Sequence, residues 1–159
     1  MAVREVLLHP HPLLTRRAEP VDPEAAAPVI RDLLDTMRSF GHCIGIAAPQ
    51  IGESVRVAVV DVTGHRKAVS SHGELILVNP VITASSGSEV GREGCLSIPE
   101  LTGDVRRATH VTVEAEGVRV DAEGFEARAL QHEIDHLDGL LFLDRVESLE
   151  ADVFRRMRR

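Results

Sequence analysis

The chain has 159 residues, the length of one domain, and its 43% hydrophobic and 27% charged residues suit a chain that buries a core. Aromatics are only 3%, with neither Trp nor Tyr, which argues against a stacking platform for single-stranded nucleic acid, and a net charge of −7 gives no overall attraction to nucleic acid or anionic lipid. No window approaches the roughly 18 apolar residues of a membrane span, so the expected location is cytoplasmic; there two cysteines, Cys43 and Cys95, favour ligand or catalytic roles over a disulfide framework.

Along the chain, the first strong period runs from Pro28 to Phe40. Val29, Ile30, Leu33, Leu34 and Met37 recur at i, i+3, i+4 spacing, Pro28 suits a first turn, and Gly41 stands past the end, so an amphipathic helix is predicted. Segment 41–52, GHCIGIAAPQIG, is apolar without helical period and reads as a loop of close backbone approach, with Gln50 polar amid small residues. Strands follow at 55–62 (VRVAVVDV), at 75–85 on either side of an Asn-Pro turn, and at 110–124, folding back at Glu116-Gly117. A second helix covers 125–137 (FEARALQHEIDHL), with Gly139 placed to cap it. The tail from Asp144 is predicted as a short third helix, ending in Arg155, Arg156, Arg158 and Arg159. With no repeat and no linker, residues 1–159 are expected to form one domain. Hairpin-like strands without crossover helices predict an α+β fold, with antiparallel or mixed strands packed around a central helix that carries H-E-x-x-H.

On that helix Phe125, Ala129, His132 and His136 share one stripe, and Ala127, Leu130, Ile134 and Leu137 form a second, so the helix is expected between layers. Two imidazoles one turn apart reach a single ion at about 2.0–2.1 Å each, with Glu133 just off the stripe. Chance placement on a polar face is disfavoured because the stripe is otherwise apolar. The pattern does not name the chemistry. A metzincin-like third histidine fails, because the sixth residue after His136 is Phe142; a thermolysin-like downstream glutamate fails, because Arg156 stands at about that distance and Glu147 and Glu150 are poorly spaced. Among the remaining ligands, Cys95 in GREGCLSIPE would complete Cys-His-His with an open position, the catalytic arrangement; adding Cys43 would close a structural Cys₂His₂ site, which has no use for Glu133 or Gln50.

Three segments, CIGIAAPQ (43–50), EGCLS (93–97) and QHEIDH (131–136), closely resemble in order and separation the three motifs of the peptide deformylases, G-x-G-[LI]-A-A-x-Q, E-G-C-L-S and Q-H-E-x-D-H. The likeness extends from HPLLTRRAEPV near the start to GLLFLDRV after the third motif. It implies a metal-dependent hydrolase that removes the formyl group from N-formylmethionyl peptides and releases formate. Cys95, His132 and His136 would ligate one divalent metal, Fe²⁺ by family preference with Zn²⁺, Ni²⁺ and Co²⁺ as alternatives. Glu133 would be the general acid/base, and Gln50 with the Leu96 N–H the oxyanion site. The peptide would lie as an added strand against Ile44, Gly45 and Gly94, with Ile44 and Phe125 lining the methionine pocket and Arg107 as a basic contact. In some relatives a C-terminal helix docks on the ribosome, which the terminal arginines would imitate. Cys43 departs from the motif by replacing its first glycine, which would strain the loop if that position requires positive φ. Two rival readings are an amide hydrolase for another N-acyl group and a non-catalytic zinc-stabilised binding protein.

Overall fold

In the computed structural model, which describes residues 2–156, the first predicted helix forms as α1, Ala27–Ser39. Proline lies in its first turn, where a missing N–H costs no helix bond, and Leu33 and Met37 point into the interior. The loop expected over 41–52 holds more structure than its glycines suggested: Gly45–Ala47 form strand β1 and Ala48–Ile51 a 3-10 turn, closed by Gly52 at φ 88°. β1 pairs antiparallel with β2, Val57–Val60, which pairs antiparallel with β3, Leu75–Val78. β2 is buried on both faces. Val57 and Val59 pack with Leu33 and Met37, whereas Val60 packs with Leu77, Leu130 and Ile134, which is why this strand reads as a continuous apolar run.

Past the Asn79-Pro80 turn comes β4, Val81–Ser86, and then a long hairpin of β5, Glu89–Cys95, and β6, Ile98–Arg107, joined by Leu96-Ser97. The predicted hairpin follows as β7, His110–Ala115, and β8, Val118–Glu123, with Gly117 taking φ 69° at the turn. The second helix is α2, Gly124–Leu137, packed against β1, β2, β7 and β8. Its Ala127, Leu130 and Ile134 join one core cluster with Val60, Leu77, Val113 and Val120. Complete burial of a side chain such as Leu130 stabilises by roughly 1.5–3 kcal/mol. Gly139, at φ 79°, ends α2: its N–H bonds the His136 carbonyl at 3.1 Å and the Leu140 N–H bonds the Asp135 carbonyl at 2.9 Å, the two bonds of a Schellman cap.

The helix predicted for the tail does not form. Phe142–Asp144 make a 3-10 turn and Val153–Arg155 form β9, in register with Leu101–Gly103 of β6. A helix of so few residues is marginal alone, whereas an open strand edge satisfies the same backbone at once. Phe154 further fixes β9 by lying under the Arg92 guanidinium, 4.0 Å from its carbon to the ring centroid. Arg158 and Arg159 lie outside the described residues. The strands group as β1-β2-β3, β4-β7-β8 and β5-β6-β9, each pair antiparallel; the parallel element among the described residues is an isolated bridge between Glu19 and Val55. The fold is therefore α+β with antiparallel sheets, and no described helix is long and apolar enough to cross a membrane.

Candidate metal centre

α2 holds His132 and His136 one turn apart, their ring centroids 5.0 Å apart and their planes at 71°. β5 brings Cys95 to them through a break in its pairing: Gly94 stands opposite Thr102, but Cys95 stands opposite Ile98. Such a break re-aims a side chain at the end of a ladder, and here Cys95 Sγ comes to 3.4 Å from His136 Nε2. The ligand atoms of Cys95, His132 and His136 all lie within 4.8 Å of one another, close enough to share one ion at about 2.0–2.3 Å.

Charge favours the same conclusion. Burial opposes ionisation of Cys95, but the charge of His136 and hydrogen bonds from His132 and His136 hold its thiol well below the ordinary range. Burial likewise opposes a charged His132, and its bonds to Cys95 and Glu93 overrule that and raise it well above the usual imidazole value. The thiolate is the form of Cys95 that ligates a metal, and a bound cation would replace the imidazole proton as the positive charge beside it. Two buried side-chain atoms have no hydrogen-bond partner among the described residues, His136 Nδ1 and Glu133 Oε1, and both belong to this cluster. Burial raises the Glu133 carboxyl, and the carboxylate fills the space beside Gly45, where a Cβ would stand 2.8 Å from Glu133 Oε2.

Gln50 stands at the end of the 3-10 turn after β1. Its Oε1 accepts from the Ala47 N–H at 2.9 Å, which turns the amide nitrogen toward the β5–β6 turn to donate to Ser97 Oγ at 3.1 Å and Cys95 Sγ at 3.5 Å. Leu96 follows Cys95 in the two-residue turn and is partly buried against the α1 cluster. Ile44 is partly buried at the edge of the α2 cluster, directly before β1. Phe125 lies elsewhere, at the first turn of α2, stacked on His65 at 4.3 Å and lining a groove with Lys67, Val69, Gly91 and Arg128. Cys43 gives its thiol to the Gly45 carbonyl at 3.2 Å, burial pushes it up to about 12, and it does not join the cluster of convergent ligand atoms among the described residues. Its φ is not positive, because Asn79 is the residue other than glycine with positive φ among those described; a side chain at this motif position is tolerated.

Arg107, expected as a basic contact for the peptide, is engaged by buried carboxylates. It is 5% exposed, and its guanidinium forks onto Glu93 at 2.8 and 2.9 Å and reaches Asp135 at 2.6 Å. β6 turns this face toward α2, where two buried carboxylates require a cation. Glu93 also accepts from Arg128 at 2.8 Å and from His132 Nδ1 at 2.8 Å, which fixes the ring so that its other nitrogen faces Cys95. Burial opposes ionisation of Glu93, yet the bonds from Arg107 and His132 hold its carboxyl far below the carboxylate range. Sequence reasoning left out Glu93, Arg128 and Asp135. The signal was present in two of them, since Glu93 and Asp135 lie within the EGCLS and QHEIDH segments.

A polypeptide deformylase family model matches residues 3–152. The peptide deformylase of Thermomicrobium roseum is 46% identical over 92% of this chain and 88% of its own length, and peptide deformylase 2 of Vibrio cholerae is 41% identical over 96% and 92%. The crystal structure of a peptide deformylase from Legionella pneumophila superposes with a TM-score of 0.83 at 38% identity, covering 94% of this chain and 89% of that one. The Thermus thermophilus enzyme gives 0.79 at 40% identity, covering 91% and 86%. The chain belongs to the polypeptide deformylase family, metal-dependent hydrolases that remove the N-formyl group from nascent peptides.

Proposed function

We propose that residues 1–159 act as one catalytic domain that hydrolyses the N-formyl group of formylmethionyl peptides, with Cys95, His132 and His136 holding one divalent metal, Fe²⁺ in the cell. The observation that carries this is the buried Cys-His-His cluster with an unpartnered Glu133 carboxylate against it. Its donor set, one thiolate and two imidazoles, suits several first-row metals and leaves a coordination position free. A metal bound there would act as a Lewis acid and ease deprotonation of water near neutral pH. The rest falls to the chain. Glu133, raised by burial, takes a proton from the attacking water and returns it to the leaving amine. The Gln50 amide, pre-aimed by Ala47, and the Leu96 N–H donate to the formyl oxygen as it gains charge.

β1 and β5 each have a single partner strand, so both offer an edge along which the peptide can add as a strand, against Ile44 and Gly45 on one side and Gly94 on the other. Ile44 is assigned to the methionine side chain, and Phe125, set in its own groove beside His65, is not. α2 is the central element in this reading, since it carries His132, Glu133 and His136 and packs on two sheets. A substrate that is a nascent chain places the enzyme in the cytoplasm beside the ribosome. Contact with the ribosome itself is assigned to the basic tail of Arg155, Arg156, Arg158 and Arg159, and unchanged ribosome co-sedimentation after deletion of residues 155–159 overturns that assignment.

The test is formate release from formyl-Met-Ala-Ser by protein purified without oxygen and loaded with Fe²⁺ or Ni²⁺, beside Glu133→Ala prepared identically. Release by the parent protein alone supports the reading. An acetyl-Met-Ala-Ser control separates deformylation from wider amide hydrolysis, and no release from a metal-filled parent overturns the proposal.

A further inference from the structure

The last described strand, β9, leads to the candidate peptide edge. β9 is held on β6 by its register with Leu101–Gly103, and the next residue continues it, the Arg156 N–H bonding the Glu100 carbonyl at 2.8 Å. From there the Arg156 side chain folds over Gly94: its Nη2 occupies the space that a Cβ on Gly94 would take, and its guanidinium carbon would stand 3.3 Å from that Cβ. Gly94 is exposed between buried Glu93 and buried Cys95, so Arg156 covers the outward face of β5 one residue from a metal ligand. Five arginines of β5, β6, α2 and the turn after it are committed to carboxylates: Arg92 to Asp104, Arg106 to Glu147, Arg107 and Arg128 to Glu93, and Arg145 to Asp135. The Arg156 guanidinium has no hydrogen bond or ion pair among the described residues. A fork of N–H donors without a carboxylate, fixed at the edge of a peptide slot, is arranged to receive one.

We propose that Arg156 is a substrate-recognition residue, binding the peptide downstream of the formyl group and favouring chains with a carboxylate side chain at the second or third position. This rests on the deformylase reading and adds a selectivity to it. The guanidinium is exposed, so the preference is modest: a solvent-accessible ion pair corresponds to about threefold to fivefold in affinity.

The experiment compares C-terminally amidated formyl-Met-Ala-Glu and formyl-Met-Ala-Gln, and the same pair with the acidic residue at position two, in the metal-loaded parent, Arg156→Ala and Arg156→Lys. The expected result is a KM about threefold to fivefold lower for each Glu peptide in the parent. That ratio falls to about one in Arg156→Ala, is partly kept in Arg156→Lys, and shrinks in about 0.5 M NaCl, where the screening length is only a few ångströms. Calorimetric binding of the deformylated products Met-Ala-Glu-amide and Met-Ala-Gln-amide provides a readout independent of turnover. If the parent releases no formate from any peptide, the deformylase reading fails, and the product titrations still decide Arg156. Equal Glu-to-Gln ratios in parent and Arg156→Ala overturn the proposal; so does a loss in Arg156→Ala that is the same for all peptides, falls in kcat and accompanies a lowered melting temperature, which marks Arg156 as a cover for Gly94 alone.

Discussion

Replacing Glu93 by Gln keeps the shape of the side chain and removes its charge. In the parent the carboxylate receives four charge-assisted hydrogen bonds, two from Arg107 at 2.8 and 2.9 Å, one from Arg128 at 2.8 Å and one from His132 Nδ1 at 2.8 Å. The amide retains one acceptor oxygen but turns an NH₂ group toward guanidinium or imidazole donors. Breaking a buried ion pair by neutralising one partner costs about 3–5 kcal/mol. The lower end applies, because Arg107 keeps Asp135 at 2.6 Å and Arg128 keeps the carbonyls of Val105 and Glu89 at 2.8 Å each. A loss near 3 kcal/mol against a typical stability of about 5–15 kcal/mol leaves a folded protein. Urea unfolding of the metal-free variant measures it. The metal responds separately: His132 loses the charged acceptor that orients it, and affinity measured against a competing chelator falls about 10–100-fold. The sign with pH follows from the depressed carboxyl. The Glu93 contribution is present above the unfolded carboxylate value of about 4.3 and is lost as pH falls through the lower folded value, so the stability gap between parent and Glu93→Gln narrows below pH ~4. A variant within about 0.5 kcal/mol of the parent at pH 7, with unchanged metal affinity, would refute the account of Glu93 as the anchor of this network.

Glu133→Gln separates catalysis from stability. Burial raises the Glu133 carboxyl, so the folded state binds more protons than the unfolded chain above pH ~4.3, and the parent loses stability as pH rises through that window. The metal-free Gln variant is therefore more stable than the metal-free parent at pH 7, and the metal-loaded variant releases no formate where the metal-loaded parent does; equal melting temperatures of the metal-free proteins across pH 5–8 contradict this. Gly45→Ala drives a methyl into Glu133, whose Oε2 lies 2.8 Å and Cγ 3.1 Å from the added carbon, so kcat falls at least tenfold while metal content stays near one per chain, and unchanged kcat contradicts the close approach. Gly139→Ala meets a backbone that cannot move aside, with the Thr15 carbonyl oxygen 2.8 Å from the new Cβ, and an L side chain must adopt φ 79°. It destabilises by about 2 kcal/mol or more in urea unfolding, and a loss under about 0.5 kcal/mol contradicts the cap.

The parts of this protein that its sequence determined are those governed by neighbours in the chain. The 3.6-residue period of Val29 to Met37 sets α1, the QHEIDH spacing puts His132 and His136 on one face of α2, Gly139 stops that helix, and Glu116-Gly117 turns the last hairpin. The ligand candidates were legible for the same reason, because helical spacing and soft side chains are local chemistry. Long-range pairing decided the rest. Nothing near Val153 states that β6 presents an open edge to it, so the tail became β9 rather than a helix and carried Arg156 to Gly94. Arg107 reads as a basic contact for substrate until Glu93 and Asp135 meet it from β5 and α2, and Glu93 reads as a motif letter until Arg107, Arg128 and His132 converge on it. A buried charge is stable only through partners distant in sequence, so which charges are buried is settled only by the tertiary structure.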